Sequence, residues 1–453
     1  MSLARTSPWG AGQPVEPALP PLIGRHRADI VVVGGGIAGL SLAHRLRAEL
    51  PSARIMLLEA VLVGGGATGH STGLARPGVW GSMRLLHKRV GPAAADALTR
   101  ASLEGMAALR ELVTGEDIDC DLVRGRMYQL PVTAQHVRRY TDDLPEMNRL
   151  GMRADWLSAR EAAETLGLQG GFGALRVAPL YQLDPLRLCR GLREVLSARG
   201  VEVYEGSPVR SIEPGERVRV RTNRGEVDAA QVVLAIDGYT RAAGLVKLPI
   251  VPFRSQALCT EPLSAAQLAG LALRPGDLVL DSRAFFNYVR LSPDGRLILG
   301  GGRAANPRTS PGTQPPVSAG TWRRLERELR QLFPGLAEVR IARSWAGVSG
   351  ATPDWMPIVG QVEPGVWFAG GWNGRGIAPA LHSAGWLSGQ LAAALHGKPL
   401  PPPTVPWHRS GARPAPVFDR LRYPLRQTFL QLTDRRSLHT GRCAPLRFGR
   451  DGK

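Results

Sequence analysis

The chain has 453 residues, 43% of them hydrophobic, which is enough for a large core and more than one lobe. Gly (54) and Pro (37) are abundant but aperiodic, so a fibre is excluded, and the four cysteines (Cys120, Cys189, Cys259, Cys443) show neither a C-x-x-C nor a zinc-type spacing, so no metal or disulfide framework is expected. The net charge of +19 is almost all arginine, with lysine only at 88, 247, 398 and 453; it favours anionic partners without choosing among small substrates, nucleic acid and lipid.

Residues 1–27 are rich in Pro and Gly and read as a flexible lead-in. They contain no apolar signal segment, and no run approaches the ~20 apolar residues of a membrane span, so a cytoplasmic protein is expected. Asp29–Val33 (DIVVV) is a continuous β-branched run, the mark of a buried parallel strand. A glycine turn follows, then a helical pattern over Ile37–Leu50 stopped by Pro51, then a strand over Arg54–Leu58. Residues 90–170 read as mostly helical, with short strands near Arg126–Leu130 and Ala154–Leu157. Asp184 caps a helix that opens on Pro185 and stops before Gly200. Short strands follow over Val201–Tyr204, Pro208–Ile212, Val218–Thr222 and Gln231–Ala235, then an antiparallel alternation over 250–300. A helix over Thr321–Phe333, a strand over Val366–Gly370 and a helix over Ile377–Leu395 complete the series. Residues 401–453 form a basic tail, with 11 Arg/Lys against 3 Asp/Glu.

Three motifs carry chemistry. Gly34-x-Gly36-x-x-Gly39 lies between a strand and a helix, the context in which this pattern cradles a dinucleotide. The first glycine permits a tight turn, the second lets the backbone approach the pyrophosphate, and the third lets the helix pack on the sheet; Ile37 and Ala38 supply helix N-terminal amides. Glu59, twenty residues after Gly39, ends the second strand, where a carboxylate accepts hydrogen bonds from ribose hydroxyls. The glycine- and hydroxyl-rich loop Gly64–Gly73 follows, offering Ala67, Thr68, His70, Ser71 and Thr72. Far downstream, Phe368–Ile377 (FAGGWNGRGI) is a second strand–glycine loop–helix junction; Gly371, Asn373, Gly374 and Gly376 sit in it. A helix N-terminus there stabilises negative charge on a reduced flavin. Two distant junctions of this kind fit FAD bound extended across a lobe better than NAD.

On these motifs residues 28–400 resemble the D-amino acid oxidase superfamily of FAD enzymes, and within it members similar to gamma-glutamylputrescine oxidase and glycine/sarcosine oxidase. The matching stretches are Asp29–Leu42, Ala67–Gly73, Pro208–Ile212, Val232–Thr240, Tyr288–Gly301, Trp345–Gly360 and Gly370–Gly376. The resemblance implies an α/β fold with a Rossmann-like FAD-binding domain and an interleaved α+β, mixed-sheet substrate domain. Expected boundaries are 28–85, 180–240 and 335–400 for the first, and 86–179 and 241–334 for the second. It implies adenine contact through the Val209 backbone, and hydride transfer from the carbon beside an amine nitrogen to flavin N5, giving an imine that hydrolyses.

Departures from the family pattern narrow the reading. Ser349 stands where amino-acid oxidases carry a carboxylate-pairing arginine, so a simple α-amino acid is disfavoured. The covalent cysteine of sarcosine oxidases near Gly347 and their oxygen-activating lysine near Ile298 are absent. The acceptor is therefore left open between O2 and a quinone or other electron carrier. His70 matches a histidine that is bonded to the flavin in dimethylglycine dehydrogenase-like relatives, but lacks the tryptophan usual before it; both linkage and a simple loop contact remain open. Substrate-side candidates are Tyr288 and Arg290, which alternation places with Phe286 on one strand face, and Trp345, Trp372 and Arg375 in the flavin-adjacent loops. The expected substrate is a small amine or N-substituted amino acid. The alternatives are a flavin monooxygenase, against which the missing Gly-Asp after Val366–Gly370 argues, and a nucleic-acid-associated flavoprotein, for which no RNA-binding signature is present. In the tail, Phe418, Leu421, Leu425, Phe429 and Leu432 fall on one helical face; packing on the FAD lobe, contact with an anionic membrane surface and disorder are the three readings.

Overall fold

The computed structural model describes residues 7–9, 17–79, 82–283, 286–301, 319–409 and 446–449. The Asp29–Val33 run forms the end of strand Gly24–Val33, which has a parallel neighbour on each side: Val31 lies opposite Val232 and opposite Met56. A strand flanked on both edges and covered on both faces must be apolar throughout, hence the unbroken valine series. The strand starts earlier than the valines suggested, because Gly24–Ala28 pair with Gly225–Ala229. The lead-in read over 1–27 is thus partly built into the fold: Leu22 is 1% exposed and its amide donates to Ser207 Oγ at 2.9 Å.

The eight-stranded sheet runs in the order Ile358–Glu363, Val366–Gly370, Gly225–Leu234, Gly24–Val33, Ile55–Leu58, Glu202–Tyr204, with Val218–Arg221 and Ser211–Glu213 extending from Gly225–Leu234. Side chains alternate between its faces. Ile30, Val32, Ile55 and Leu57 pack under helices Ile37–Glu49, Pro92–Gly115, Pro185–Ala198 and Ile377–Leu395, while Val31, Val33, Met56 and Leu58 join Val232 and Leu234 on the other side. The Pro185–Ala198 helix is capped as its sequence implies: the Asp184 carboxylate accepts from the amides of Leu186 (2.9 Å) and Arg187 (3.0 Å).

The nine-stranded sheet runs Ile341–Ala351, Val251–Thr260, Leu297–Gly301, Asn287–Leu291, Asp277–Asp281, Val123–Leu130, Ala174–Gln182, Leu74–Ala75, with Arg153–Leu157 also on Ala174–Gln182. Ile341–Ala351 and Leu74–Ala75 fall in stretches expected to belong with the cofactor segments, and Ala174–Gln182 straddles the expected boundary at 180. Strand Ile341–Ala351 hydrogen-bonds along its length to Val251–Thr260, and Ala174–Gln182 pairs with Val123–Leu130 and runs past residue 180. Pro179 hid the second of these, since proline inside an apolar run argues against a central strand. One face of this sheet packs on Leu325, Leu329 and Phe333 of the segment Ala319–Phe333; the other faces the eight-stranded sheet's cavity, described below.

Trp407 is fully buried and its carbonyl accepts from the Val359 amide at 3.0 Å, so the tail begins packed on the edge of the eight-stranded sheet. Arg447 and Phe448 pair with Gln169 and Leu168, and the Phe448 ring stacks on Phe333 at 4.9 Å. The Phe418–Leu432 face lies outside the described residues. Among the described residues no helix is long and apolar enough to cross a membrane.

Candidate functional site

The first glycine junction is built locally. The Gly34 amide donates to Leu58 O at 2.8 Å, and Gly34 takes φ +112, a conformation that favours glycine. A Cβ on Gly39 would lie 2.0 Å from Gly34 O, so only glycine lets the helix sit this close to the turn. Gly36 is the N-cap of Ile37–Glu49 and caps nothing with a side chain; the Ile37 amide donates to Thr68 Oγ1 at 3.1 Å, and Gly36, Ile37 and Ala38 line the cavity described below. Glu59 receives the Gly35 amide at 2.7 Å and the Val61 amide at 3.0 Å. Burial pushes its carboxyl above the usual range, and these backbone donors oppose the rise.

The second junction is built from afar. The carboxylate of Asp237 is buried beneath it and accepts from the amides of Gly350 (2.8 Å), Gly371 (2.9 Å) and Trp372 (3.2 Å). Asn373 completes the tie: its amide donates to Gly350 O at 2.8 Å and its Oδ1 accepts from Thr352 N at 3.0 Å. Burial raises the Asp237 carboxyl and its three-amide coordination opposes that. Gly371, Asn373 and Gly374 all take positive φ, which swings the chain so that Gly376 opens helix Ile377–Leu395 with no side-chain cap.

Both uncapped helix N-termini open on one cavity of about 390 Å³. Its wall includes Gly34, Gly36, Ile37, Ala38, Glu59, Ala67, Thr68, His70, Ser71, Thr72 and Val209, and also Tyr288, Trp345, Asn373, Gly374, Arg375 and Gly376. The wall therefore brings together the expected cofactor and substrate residues except Gly39 and Gly371, which shape the two turns from behind, and Arg290. Arg290 is 1% exposed and does not reach the cavity; its Nη1 donates to Thr72 O at 2.6 Å and Gly73 O at 3.3 Å. The strand alternation holds for Phe286 and Tyr288, which line the cavity, but one step further the face has passed beneath the Thr72 loop. FAD fits this wall: two amide-rich termini without caps, a ribose-side carboxylate and a second glycine loop lie around one continuous space.

His70 donates from Nδ1 to Gly66 O at 2.9 Å, since a carbonyl only accepts, which leaves Nε2 as the ring's lone-pair nitrogen. Burial holds its pKa below the usual 6.5. The Tyr288 hydroxyl sits between Thr72 and Ser255, and burial raises its pKa.

Sequence reasoning missed three groups on the wall. Arg76, just past the Gly73 loop, lies 5.7 Å from the Phe286 ring centroid, and burial lowers its guanidinium to about 10. Arg254 lines the cavity from strand Val251–Thr260. Asp237 was read only as part of a matching stretch; an Asp-Gly after a buried strand was the available signal. Arg375 donates to Val79 O at 2.7 Å, and its pKa is held well below the guanidinium range by burial and by the charge of Arg76. Among the described residues the wall thus carries three guanidinium groups, while its two carboxylates, Glu59 and Asp237, are each engaged by backbone amides.

The chain is 30% identical over 371 residues to the probable oxidoreductase OrdL of Haemophilus influenzae, covering 79% of this chain and 81% of that protein. It is 28% identical over 367 residues to the gamma-glutamylputrescine oxidoreductase of Escherichia coli, covering 80% and 83%. The glycine oxidase structure from Geobacillus kaustophilus superposes with a TM-score of 0.69 at 21% identity, covering 86% of this chain and all of that one, and shares the fold. Residues 29–394 match the FAD dependent oxidoreductase (DAO) family, and the chain belongs to that family.

Proposed function

We propose that this FAD-dependent oxidoreductase oxidises the C–N bond of a small amine that carries an anionic group, an N-substituted amino acid rather than a free polyamine. The observation that supports this is the charge of the wall: Arg76, Arg254 and Arg375 face a space whose carboxylates are already hydrogen-bonded to backbone. A polyamine cation would meet like charge there, whereas a carboxylate would relieve the crowding between Arg76 and Arg375. The names of the relatives, an oxidoreductase of gamma-glutamylputrescine and glycine oxidases, point to the same class of C–N donors.

When bound, FAD would supply the two-electron acceptor for the C–N oxidation. The chain's own residues do the rest. Arg76 and Arg375 hold the substrate's anion, and Phe286, Tyr288, Trp345 and Trp372 wall the space and exclude water. The uncapped Gly376 terminus, on the same wall, would stabilise negative charge on a bound flavin. Among the described residues no carboxylate on the wall is free to act as a general base, so the amine enters as the neutral form and water removes the product imine.

The test is anaerobic bleaching of the bound flavin. N-methyl and N-carboxymethyl amino acids are expected to bleach it faster than putrescine, spermidine, glycine or D-alanine. Faster bleaching by free polyamines would overturn the anion reading. Fast turnover of D-alanine would show that Ser349 does not exclude primary amino acids.

A further inference from the structure

The loop His70–Gly73, which carries part of the cavity wall, is gripped at four consecutive carbonyls. Trp345 Nε1 donates to His70 O at 3.1 Å, and Arg290 Nη1 takes Thr72 O and Gly73 O. The grip on Ser71 O comes from the far end of the chain: Trp9 Nε1 donates to it at 2.7 Å, across 62 residues of sequence. Trp9 also lies under Arg290, whose Cζ is 5.4 Å from the ring centroid, and packs on the cluster of Ala257, Cys259, Ile298 and Trp345. Ser7 is 9% exposed, so the arm is seated on both sides of Pro8.

We infer that the N-terminal arm, through Trp9, is a positioning element of the FAD site. Each donor fixes one carbonyl of the loop, and so fixes the stretch from which His70, Ser71 and Thr72 line the cofactor space. Gly73 O is also held by the Leu183 amide at 3.0 Å; Trp345 and Arg290 are fixed in the nine-stranded sheet and Leu183 directly follows one of its strands, so among these donors Trp9 is the one from the N-terminal segment. An indole seated over a guanidinium holds that guanidinium's direction as well as its own carbonyl, so losing Trp9 frees Ser71 O and loosens the Arg290 bonds to Thr72 O and Gly73 O, three of the four grips. Because the arm and FAD favour the same loop conformation, their effects are reciprocal: whatever factor the arm adds to FAD affinity, FAD adds to the seating of the arm.

The experiment uses the full chain and reads the cofactor rather than turnover. Trp9→Phe keeps the ring over Arg290 and removes the N–H; Trp9→Ala removes both. Trp386→Phe is the control, since Trp386 makes the same kind of bond, to Pro402 O at 3.1 Å, away from the cavity wall. Apoprotein is titrated with FAD, and visible circular dichroism records the bound flavin. Trp9→Phe is expected to raise the FAD Kd about tenfold and to change the dichroism at a wild-type Tm, Trp9→Ala to raise the Kd further, and Trp386→Phe to leave both readings unmoved. Hydrogen–deuterium exchange on wild-type protein gives the reciprocal reading: FAD is expected to slow exchange in the segment containing Trp9. Equal exchange with and without FAD, or a Trp9→Phe variant with wild-type Kd and dichroism, would overturn the proposal. If the Trp9 variants fail to fold, the wild-type exchange comparison decides alone.

Discussion

The two glycine junctions that open on the cavity read alike in sequence, strand then glycines then helix, and are built in opposite ways. The first is closed by its neighbours: Gly34 bonds to the adjacent strand at Leu58, and Gly39 packs on Gly34 itself. The second takes its shape from one carboxylate 134 residues upstream, as Asp237 draws Gly371, Trp372 and Gly350 onto a single group. A local motif announces itself in sequence; a loop folded over a buried charge does not. The two junctions should also fail differently.

The largest effect is expected at the local junction. Gly39→Val places a side chain where the first carbon already meets Gly34 O at 2.0 Å, so the helix must move off the sheet and the protein should purify without flavin colour. Gly36→Val blocks the approach of the pyrophosphate and should give a folded but colourless protein. Absorbance of the purified protein and titration with added FAD check both; a yellow Gly39→Val protein would mean the turn does not hold the cofactor. At the remote junction, Asp237→Ala strands three buried amides, at a cost of about 1–3 kcal/mol for each unsatisfied group at the upper limit. Asp237→Asn restores one acceptor oxygen and sets an NH2 group against an amide, so its loss should be a large part of the alanine loss. Thermal unfolding of the apoprotein separates this from cofactor loss: Asp237→Ala should lower the Tm without FAD, whereas Gly36→Val should not.

The contrast explains what was legible. The Rossmann turn, Glu59, the Gly64–Gly73 loop and the late helix follow from spacing and turn chemistry over a few residues, and the structure gathers them on one wall. Asp237, Arg76 and Trp9 act through contacts that spacing does not record. Arg290 shows the same limit from the other side: period-two alternation correctly put it on the face of Phe286 and Tyr288, but not at the depth along the strand where that face leaves the cavity.

A smaller effect is expected from the arginines of the wall. Arg76→Leu or Arg375→Leu should raise the KM for an N-substituted amino acid by roughly ten- to a hundredfold, the worth of one charge-assisted hydrogen bond at about 1.5–3 kcal/mol. FAD affinity should stay near wild type. A carboxylate inhibitor titrated against the flavin spectrum supplies the pH test. Burial lowers Arg76 to about 10, so its charge, and with it inhibitor affinity, should be constant at neutral pH and fall as pH rises through about 10. Bound anion favours the protonated guanidinium, so binding above that pH should take up a proton. Inhibitor affinity that is unchanged in Arg76→Leu would place the anion site elsewhere.

The smallest effect concerns His70, where the local and remote supports meet. Gly69 before it admits no side chain, since a Cβ would lie 2.3 Å from Gly64 O, so the tryptophan that precedes the flavin-linked histidine in some relatives has no room at that position. Acid precipitation is accordingly expected to leave the flavin in the supernatant; colour retained in the pellet, and released by His70→Ala, would establish the linkage instead. The contact should still show in pH dependence. Burial sets the folded pKa of His70 below the ordinary 6.5, so the unfolded chain binds the proton more readily than the folded loop. The His70 contribution to loop stability is therefore full above about pH 6.5 and declines as pH falls below it. FAD retention should be flat from pH 7 to 8 and weaken a few-fold at mildly acidic pH. His70→Gln, which cannot titrate, should flatten the acid side of that profile. The same acid loss in His70→Gln as in wild type would assign the titration to another group.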